Sequence, residues 1–479
     1  MSVVSQVETE FKYEAGALPS LRDLPGVADV DGPREDRLEA VYFDTADLRL
    51  ARHGATLRRR TGGQDAGWHL KVPAGDHSRT ELRLPLDQGA ATNAPPAELA
   101  ELTFGMARGA EIRPVAQIKT VRQVWRLLGR RGKPLAEVAA DKVSARRLDR
   151  ESTVDKWREL EVELAEPGAA RDFDRALRKA GLRHARHGSK LARVLPVSAA
   201  PGYGRTAGDA VLAYVRAQFE RIVTEDLRVR RDAPDAVHQM RVASRRMRSV
   251  LRVYRRLLPG TERLQADLRW LGRRLAEARD VEVRQASFQE ALAALPDELV
   301  VGPVAARLTR HFAPAASSAR RTVLETLGDK RYRRLLDSVD QLLDDPPLAG
   351  RASRPAAREL PKHVRRAYRK TRSRMSDDTL HRARKAAKRY RYALEVAEPF
   401  VGVRKARKAA KALTQVLGEH QDGVVARPLL RELGMRAHLA GENGFTFGLL
   451  YGQELARCAE IETVYPKYWK RVRKTRPKP

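Results

Sequence analysis

The sequence predicts an α+β multidomain protein: an N-terminal closed antiparallel β-barrel, then an all-α domain of two duplicated helical bundles. Three observations carry this. Up to about residue 195 the chain alternates in character with period two, between Gly, Pro and Asp signals. From about residue 208 apolar residues recur every three to four positions. One basic pattern then occurs twice, 143 residues apart: His238-Gln-Met-Arg241-Val-Ala-Ser-Arg245-Arg246-Met-Arg248, and His381-Arg-Ala-Arg384-Lys-Ala-Ala-Lys388-Arg389-Tyr-Arg391.

The strand candidates are VETEFKY, ATLRRRT, GWHLKVP, TELRLPL, KPLAEVAADKVSA and KWRELEVELAE, followed by a short helical piece, DFDRALRKAGL. These fill a first domain, 1–195. A Pro-, Gly- and Ala-rich linker is expected at 196–207. The helical domain is expected over 208–465, as repeats of about 208–343 and 356–465 around the break DDPPLAGRASRP. A basic tail, 466–479, is expected to fray. A second landmark supports the duplication. Asp280 and Asp422 fall about 42 and 41 residues after the two histidines, each closing a Leu-Gly segment. They are expected to orient basic side chains by ion pairs.

Charge separates the halves. The 479 residues carry a formal net charge of +32. Residues 1–200 hold 34 Lys and Arg against 29 Asp and Glu; the rest holds 59 against 32. Such asymmetry points to a polyanionic partner of the second half. The lone cysteine, Cys458, excludes an internal disulfide and any multi-cysteine metal site. No apolar run reaches membrane-spanning length and the start lacks a signal-peptide pattern, so a soluble cytoplasmic protein with no membrane partner is expected.

In the first half the charges sit on alternate positions: Glu8, Glu10 and Lys12; Arg58 and Arg60; Arg79, Glu81 and Arg83; Glu137 and Asp141; Glu159, Glu161 and Glu163. Period two puts each set on one face of a strand. A purely charged face cannot pack in an apolar core. One such strand would read as a solvated sheet face; about six of them, with signs partly segregated, fit a barrel with a polar interior. Glu8, Glu10, Glu159, Glu161 and Glu163 could hold a hard divalent cation. Arg58, Arg60, Lys71, Arg79, Arg122 and Lys190 could hold phosphate oxygens.

The Glu-x-Glu-x-Lys start and the later basic and acidic strands resemble the CYTH family, the triphosphate tunnel metalloenzymes, over about residues 1–195. That resemblance implies a barrel of about eight strands around a charged tunnel, hydrolysis of triphosphates such as inorganic or thiamine triphosphate, and in a few members synthesis of cyclic AMP. It implies Mg²⁺ or Mn²⁺ at Glu8, Glu10, Asp141, Glu159, Glu161 and Glu163. It gives Lys12 a part in positioning water or phosphate, beside Glu8 and Glu10 as the catalytic set. Arg58, Arg60, Lys71, Arg79, Arg122 and Lys190 would bind the triphosphate. His69 stands where the resemblance implies a smaller polar residue.

The offsets of the two His-led patterns are helical, so each set lies along one helix face, where like charges repel. Leu251, Val253, Tyr254 and Leu257, and Tyr392, Leu394 and Val396, give each helix an apolar side. This half resembles the CHAD family over about residues 205–465. The resemblance implies two helical bundles around a basic groove that binds inorganic polyphosphate. His238, Arg241, Arg245, Arg248, His381, Arg384, Lys388 and Arg391 would line it, flanked by Arg246 and Arg389. Tyr390 is the one aromatic within the rows, and stacking aromatics mark single-strand nucleic-acid binders, so a bare phosphate chain is favoured over RNA or DNA. The expectation is a polyphosphate-binding protein with a metal-dependent triphosphatase tunnel, which could associate with polyphosphate granules. The alternatives are a non-catalytic polyphosphate scaffold, or a cyclase or thiamine triphosphatase using the same tunnel.

Overall fold

The computed structural model describes residues 4–14, 18–75, 78–86, 94–148, 154–165, 170–195, 204–375 and 380–477. The chain divides into two compact units, Met1–Ala200 and Pro201–Pro479. Of the expected linker, residues 196–203 lie outside the described residues.

Among the described residues the first unit is a nine-stranded antiparallel sheet with short helices. Its elements are β1 (Val4–Glu14), β2 (Asp29–Asp44), α1 (Arg49–Arg52), β3 (Thr56–Thr61), β4 (Gly67–Gly75), β5 (Ser78–Leu84), α2 (Ala97–Leu102), α3 (Phe104–Ala107), β6 (Arg113–Leu128), β7 (Pro134–Arg147), β8 (Asp155–Leu164), α4 (Ala170–Lys179), β9 (Arg183–His184) and α5 (Lys190–Val194). The strand order is β5-β4-β3-β2-β6-β7-β8-β1-β9. β1 pairs with β5 through Val4–Thr9 and with β8 through Glu10–Glu14.

Alternation decides what each face does. Phe11 and Tyr13 leave β1 on the side opposite Glu10 and Lys12, and pack with Val138, Leu160 and Val162 against Phe173 and Leu177 of α4. Tyr13 also donates a hydrogen bond to Asp174 of α4 at 2.9 Å. α5 packs Leu191 and Val194, followed by Leu195, against Ala40, Tyr42, Ile118 and Trp157. That packing, with Ser189 capping α5 through Ala192 N–H at 3.0 Å, fixes the backbone that carries Lys190.

The second unit is all helical: α6 (Ala207–Arg230), α7 (Ala236–Val253), α8 (Glu262–Arg274), α9 (Ala276–Ala293), α10 (Val304–Gly328), α11 (Lys330–Asp344), α12 (Ala356–Arg374), α13 (Leu380–Ala397), α14 (Arg404–Leu439) and α15 (Phe445–Thr475). α6 opens with a reciprocal capping box, Thr206 to Asp209. The non-helical break between α11 and α12 returns to this start, with Ala207 and Gly208 N–H donating to the carbonyls of Arg354 and Ala352 at 2.8 Å each. The 143-residue offset superposes α6-α7 on α12-α13. It also superposes α8 and α9, which meet at Leu275, on the single long helix α14. α15 continues through Thr475 with Val472 buried, so the segment expected to fray is helical that far.

α7 and α13 pack on each other and join the repeats. The fully buried Tyr254, just past α7, donates its hydroxyl to the carbonyl of Ala393 at 2.9 Å. Among the described residues no helix is long and apolar enough to cross a membrane. Tyr254→Phe should destabilise the helical unit by about 1–3 kcal/mol, because the buried Ala393 carbonyl loses its cross-repeat donor. Urea unfolding of the full chain measures this; an unchanged midpoint would remove that bond from the account of how the repeats are held.

Candidate functional site

The sheet unit encloses a cavity of about 310 Å³ whose lining comes from β1 through β8 and α5. Of the predicted residues, Glu10, Lys12, Arg58, Arg60, Lys71, Arg79, Arg122, Glu161, Glu163 and Lys190 line it. The side chain of Glu8 lies outside the described residues; its backbone pairs with Arg79 across β1 and β5. Arg34, Asp36, Tyr42, Arg83 and Glu137 also line the cavity and were not in the predicted set. Glu137 and Arg83 carried the same alternating signal as their neighbours. Tyr42 did not, since an aromatic in a strand reads as core.

The acidic wall is formed by β1, β7 and β8. Register places Glu10 opposite Glu163, Lys12 opposite Glu161, Glu137 opposite Glu163 and Asp141 opposite Glu159. Lys190 Nζ reaches Asp141 at 2.8 Å, Glu159 at 2.6 Å and Glu161 at 2.8 Å. Arg122 grips Asp141 with two bonds of 2.8 and 2.7 Å and also pairs with Glu161. Lys12 pairs with Glu161 and lies 3.6 Å from Glu10. Burial works against these charges, but the opposite partners win. Lys12, Arg122 and Lys190 are held above their ordinary pKa values, and Glu161 and Asp141 below theirs. All stay ionised at neutral pH.

Carboxylate oxygens of Asp141, Glu159 and Glu161 lie within 4.8 Å of one another and could hold a metal ion. Their all-oxygen chemistry suits a hard divalent cation. Lys190 already places its ammonium against the same three carboxylates, so this corner stabilises positive charge.

The basic wall is organised by a carboxylate. Glu81, fully buried, lies 2.9 Å from His69, 3.4 Å from Lys71 and 3.9 Å from Arg58, and pairs with Arg83. His69 does not line the cavity. Its Nδ1 faces Glu81 and its Nε2 faces the carbonyl of Asp65, both at 2.9 Å. Burial, then the nearby Arg58 and Arg60, outweigh Glu81 and push its pKa down to about 4. The neutral ring therefore donates its one N–H to either Glu81 or the Asp65 carbonyl, and serves as a spacer between them. The β3–β4 turn needs glycine: Gly62 has φ +80° and an added Cβ would meet the carbonyl oxygen of Arg37 at 2.1 Å. That turn sets Asp65 against the guanidinium of Arg60. Arg58 donates to Tyr42 Oη at 3.4 Å, and although burial raises the phenol, Arg58 and the other cations bring its pKa below normal.

In the helical unit the two His-led rows face each other across α7 and α13. Arg245 donates to Tyr392 Oη at 3.2 Å. Arg241 pairs with Asp280 at 3.2 Å, as expected of that aspartate. Arg391 bonds Glu395 at 3.3 Å and Thr414 at 3.3 Å. His381 Nδ1 lies 2.6 Å from Gln421; His238 is half-buried beside Arg279 and Asp235. Asp422 makes no direct bond to the rows but its charge acts on Arg384 and Lys388. Arg248 and Arg384 are held below the ordinary arginine value by burial and then by like charges, Arg245 among them for both. Lys388 is pushed down to about 7 by burial, then by Arg245, Arg384 and Arg391. Cations set together with so few acids could hold a negatively charged group.

Residues 6–193 match the family model of the CYTH domain, and residues 213–431 that of the CHAD domain. Two uncharacterized proteins of Mycobacterium tuberculosis, from strains CDC 1551 / Oshkosh and ATCC 25618 / H37Rv, are each 38% identical, with 98% of both chains covered. Among solved structures, PptA from Streptomyces chartreusis is 22% identical with a TM-score of 0.47, over 55% of this chain and 99% of that one. The CHAD domain of Ricinus communis is 30% identical with a TM-score of 0.46, over 57% and 94%. A Hippeastrum adenylyl-cyclase-like protein, described as having a dominant triphosphatase activity, is 19% identical with a TM-score of 0.24, over 39% and 93%.

The depressed Lys388 pKa fixes a pH dependence. An unfolded chain holds this proton up to about pH 10.4, whereas the folded one releases it near 7. Between those values the unfolded state binds more protons, so this residue's penalty is full below pH 7 and fades as pH rises. Lys388→Met should therefore be more stable than the parent at pH 7, with the gap narrowing towards pH 10. Thermal midpoints of both proteins across that range test it; a gap that is constant with pH would contradict the buried, repelled ammonium.

Proposed function

The chain belongs to the family of proteins that join a CYTH domain to a CHAD domain, and from that premise we propose a metal-dependent triphosphatase of inorganic triphosphate coupled to a polyphosphate-binding helical domain. The observation that carries this is the cavity with one wall of guanidinium and ammonium groups and one of carboxylates. The sheet is read as a closed barrel and the cavity as its tunnel. A triphosphate brings about four negative charges, so it needs many cations on one side and a bridging metal on the other.

Arg58, Arg60, Lys71, Arg79 and Arg122, with Arg34 and Arg83, would neutralise the phosphate oxygens. Glu81 aims Arg58, Lys71 and Arg83 beforehand, and Asp141 aims Arg122, so little reorganisation of these four opposes binding. Asp65 gives up Arg60 to the incoming phosphate. Glu8, Glu10, Glu161 and Glu163, backed by Asp141 and Glu159, would hold Mg²⁺ or Mn²⁺. When bound, that ion would neutralise charge on the terminal phosphoryl group and orient a water. Lys12 sits between Glu10 and Glu161 and would steady the same phosphate. Water adds to the terminal phosphorus, the bond to the bridging oxygen breaks, and orthophosphate and pyrophosphate leave. In the helical unit Arg241, Arg245, Arg248, Arg384, Lys388 and Arg391, with His238 and His381, would track a polyphosphate chain through its backbone charge.

Purified full-length protein with Mg²⁺ or Mn²⁺ should release orthophosphate from tripolyphosphate, and Glu8→Ala should lower kcat at least a hundredfold, about 2.7 kcal/mol of barrier. Equal turnover by Glu8→Ala would sink the catalytic assignment. For the groove, Arg245→Ala with Lys388→Ala should weaken long-chain polyphosphate binding at least tenfold and lower the salt slope. RNA displacing polyphosphate more readily than the reverse would refute a bare phosphate ligand.

A further inference from the structure

The two repeats diverge on one flank. Arg252, Arg255 and Arg256 stand at and just after the end of α7; the positions 143 residues later are Glu395, Glu398 and Pro399. Arg246 of α7 corresponds in the same way to Arg389 of α13. Around Arg246 the charges are matched: Glu395 lies 3.8 Å away, accepts from Tyr214 at 2.7 Å and pairs with Arg391. Glu398 pairs with Arg407. The equivalent place on the other flank has lost both carboxylates.

What stands there is a cavity of about 60 Å³ between α7, α12 and α13. Its rim is Arg252, Arg255, Arg256, Arg366, Lys370 and Arg389, over a floor that includes Ala367 and Ala386. Among the described residues no carboxylate lines it. Among the described residues, none of these six cations makes a hydrogen bond or an ion pair. Burial and then mutual repulsion hold Arg366, Lys370 and Arg389 below their ordinary pKa values. A patch built only for solubility would let such side chains spread apart or pair with acids. Here three helices converge them on a small cavity, which selects a compact, multiply charged anion over an extended one.

We propose that this flank is a second anion site, taking one phosphate group, which adjoins the His-led groove where Arg252 and Arg389 stand near Arg248 but has its own cavity between α7, α12 and α13, carried by only one of the two repeats. The phosphate could be a free inorganic anion or one unit of a polymer passing beyond the groove. Neither case depends on catalysis in the sheet unit.

The test uses the full chain without divalent metal at physiological ionic strength, titrated calorimetrically with inorganic pyrophosphate and separately with long-chain polyphosphate. Arg252→Glu with Arg255→Glu copies the carboxylates of the other repeat onto this flank, at exposed positions. A control of equal charge change, Arg310→Glu with Arg431→Glu, sits elsewhere on α10 and α14 at exposed positions. The flank variant should bind at least tenfold more weakly than the control. A loss in both titrations assigns a free phosphate, and a loss with the long chain alone assigns a polymer unit. Flank and control variants that match in both titrations would overturn the site. So would pyrophosphate binding that vanishes only with Arg245→Ala and Lys388→Ala.

Discussion

The ammonium of Lys190, seated against Asp141, Glu159 and Glu161, is the contact on which the rest of the sheet unit's site depends. Without it, three carboxylates would share a buried corner and repel. With it, and with Arg122 bridging Asp141 and Glu161, they hold one geometry. Removing one partner of such a buried network leaves an uncompensated charge, which typically costs about 3–5 kcal/mol. The network therefore also ties α5 to β7 and β8, and so ties the end of the domain to the acidic wall. Glu81 does the same for the basic wall, with the signs reversed.

The helical unit follows the opposite rule. There the cations are brought together by apolar packing of α7 on α13 and are left mostly without acids. Tyr254, Tyr390 and Tyr392 are fully buried beside the basic rows. Their burial holds the helices against the repulsion that the rows generate. Under the proposed function, charge balance inside the sheet unit would hold a short substrate in one position, and charge imbalance in the helical unit would be relieved by a bound polyanion. Aspartates at the edge, Asp280 on Arg241 and Asp422 near Arg384 and Lys388, limit the imbalance without cancelling it.

Much of this was legible because strand and helix periods are short. Residues two apart on a strand share a face whatever the tertiary arrangement, so Glu10 with Lys12, and Arg58 with Arg60, had to point together. Tyr42 was not legible, because a strand tyrosine has the same signature whether it fills a core or lines a polar cavity. His69 follows the alternation of Lys71 and its register partner is Arg83, yet its ring turns diagonally to Glu81 and to the Asp65 carbonyl in the β3–β4 turn. The cationic flank at Arg252 and Arg366 was hidden because its two halves lie on helices more than a hundred residues apart, and neither half alone exceeds an ordinary basic surface.

The sequence by itself determined the two-part architecture, the duplication and the sign of each charged face. These follow from local periodicity and composition, which need no knowledge of what packs on what. Only the tertiary structure decided which acids share one corner, which arginine is neutralised by Asp65, and that Arg252 and Arg366 meet at one cavity. Those outcomes depend on strand register and helix crossing, which are set by the sum of many apolar contacts. A charged side chain's partner is fixed by that geometry at the scale of an ångström, a distance no spacing in the sequence records.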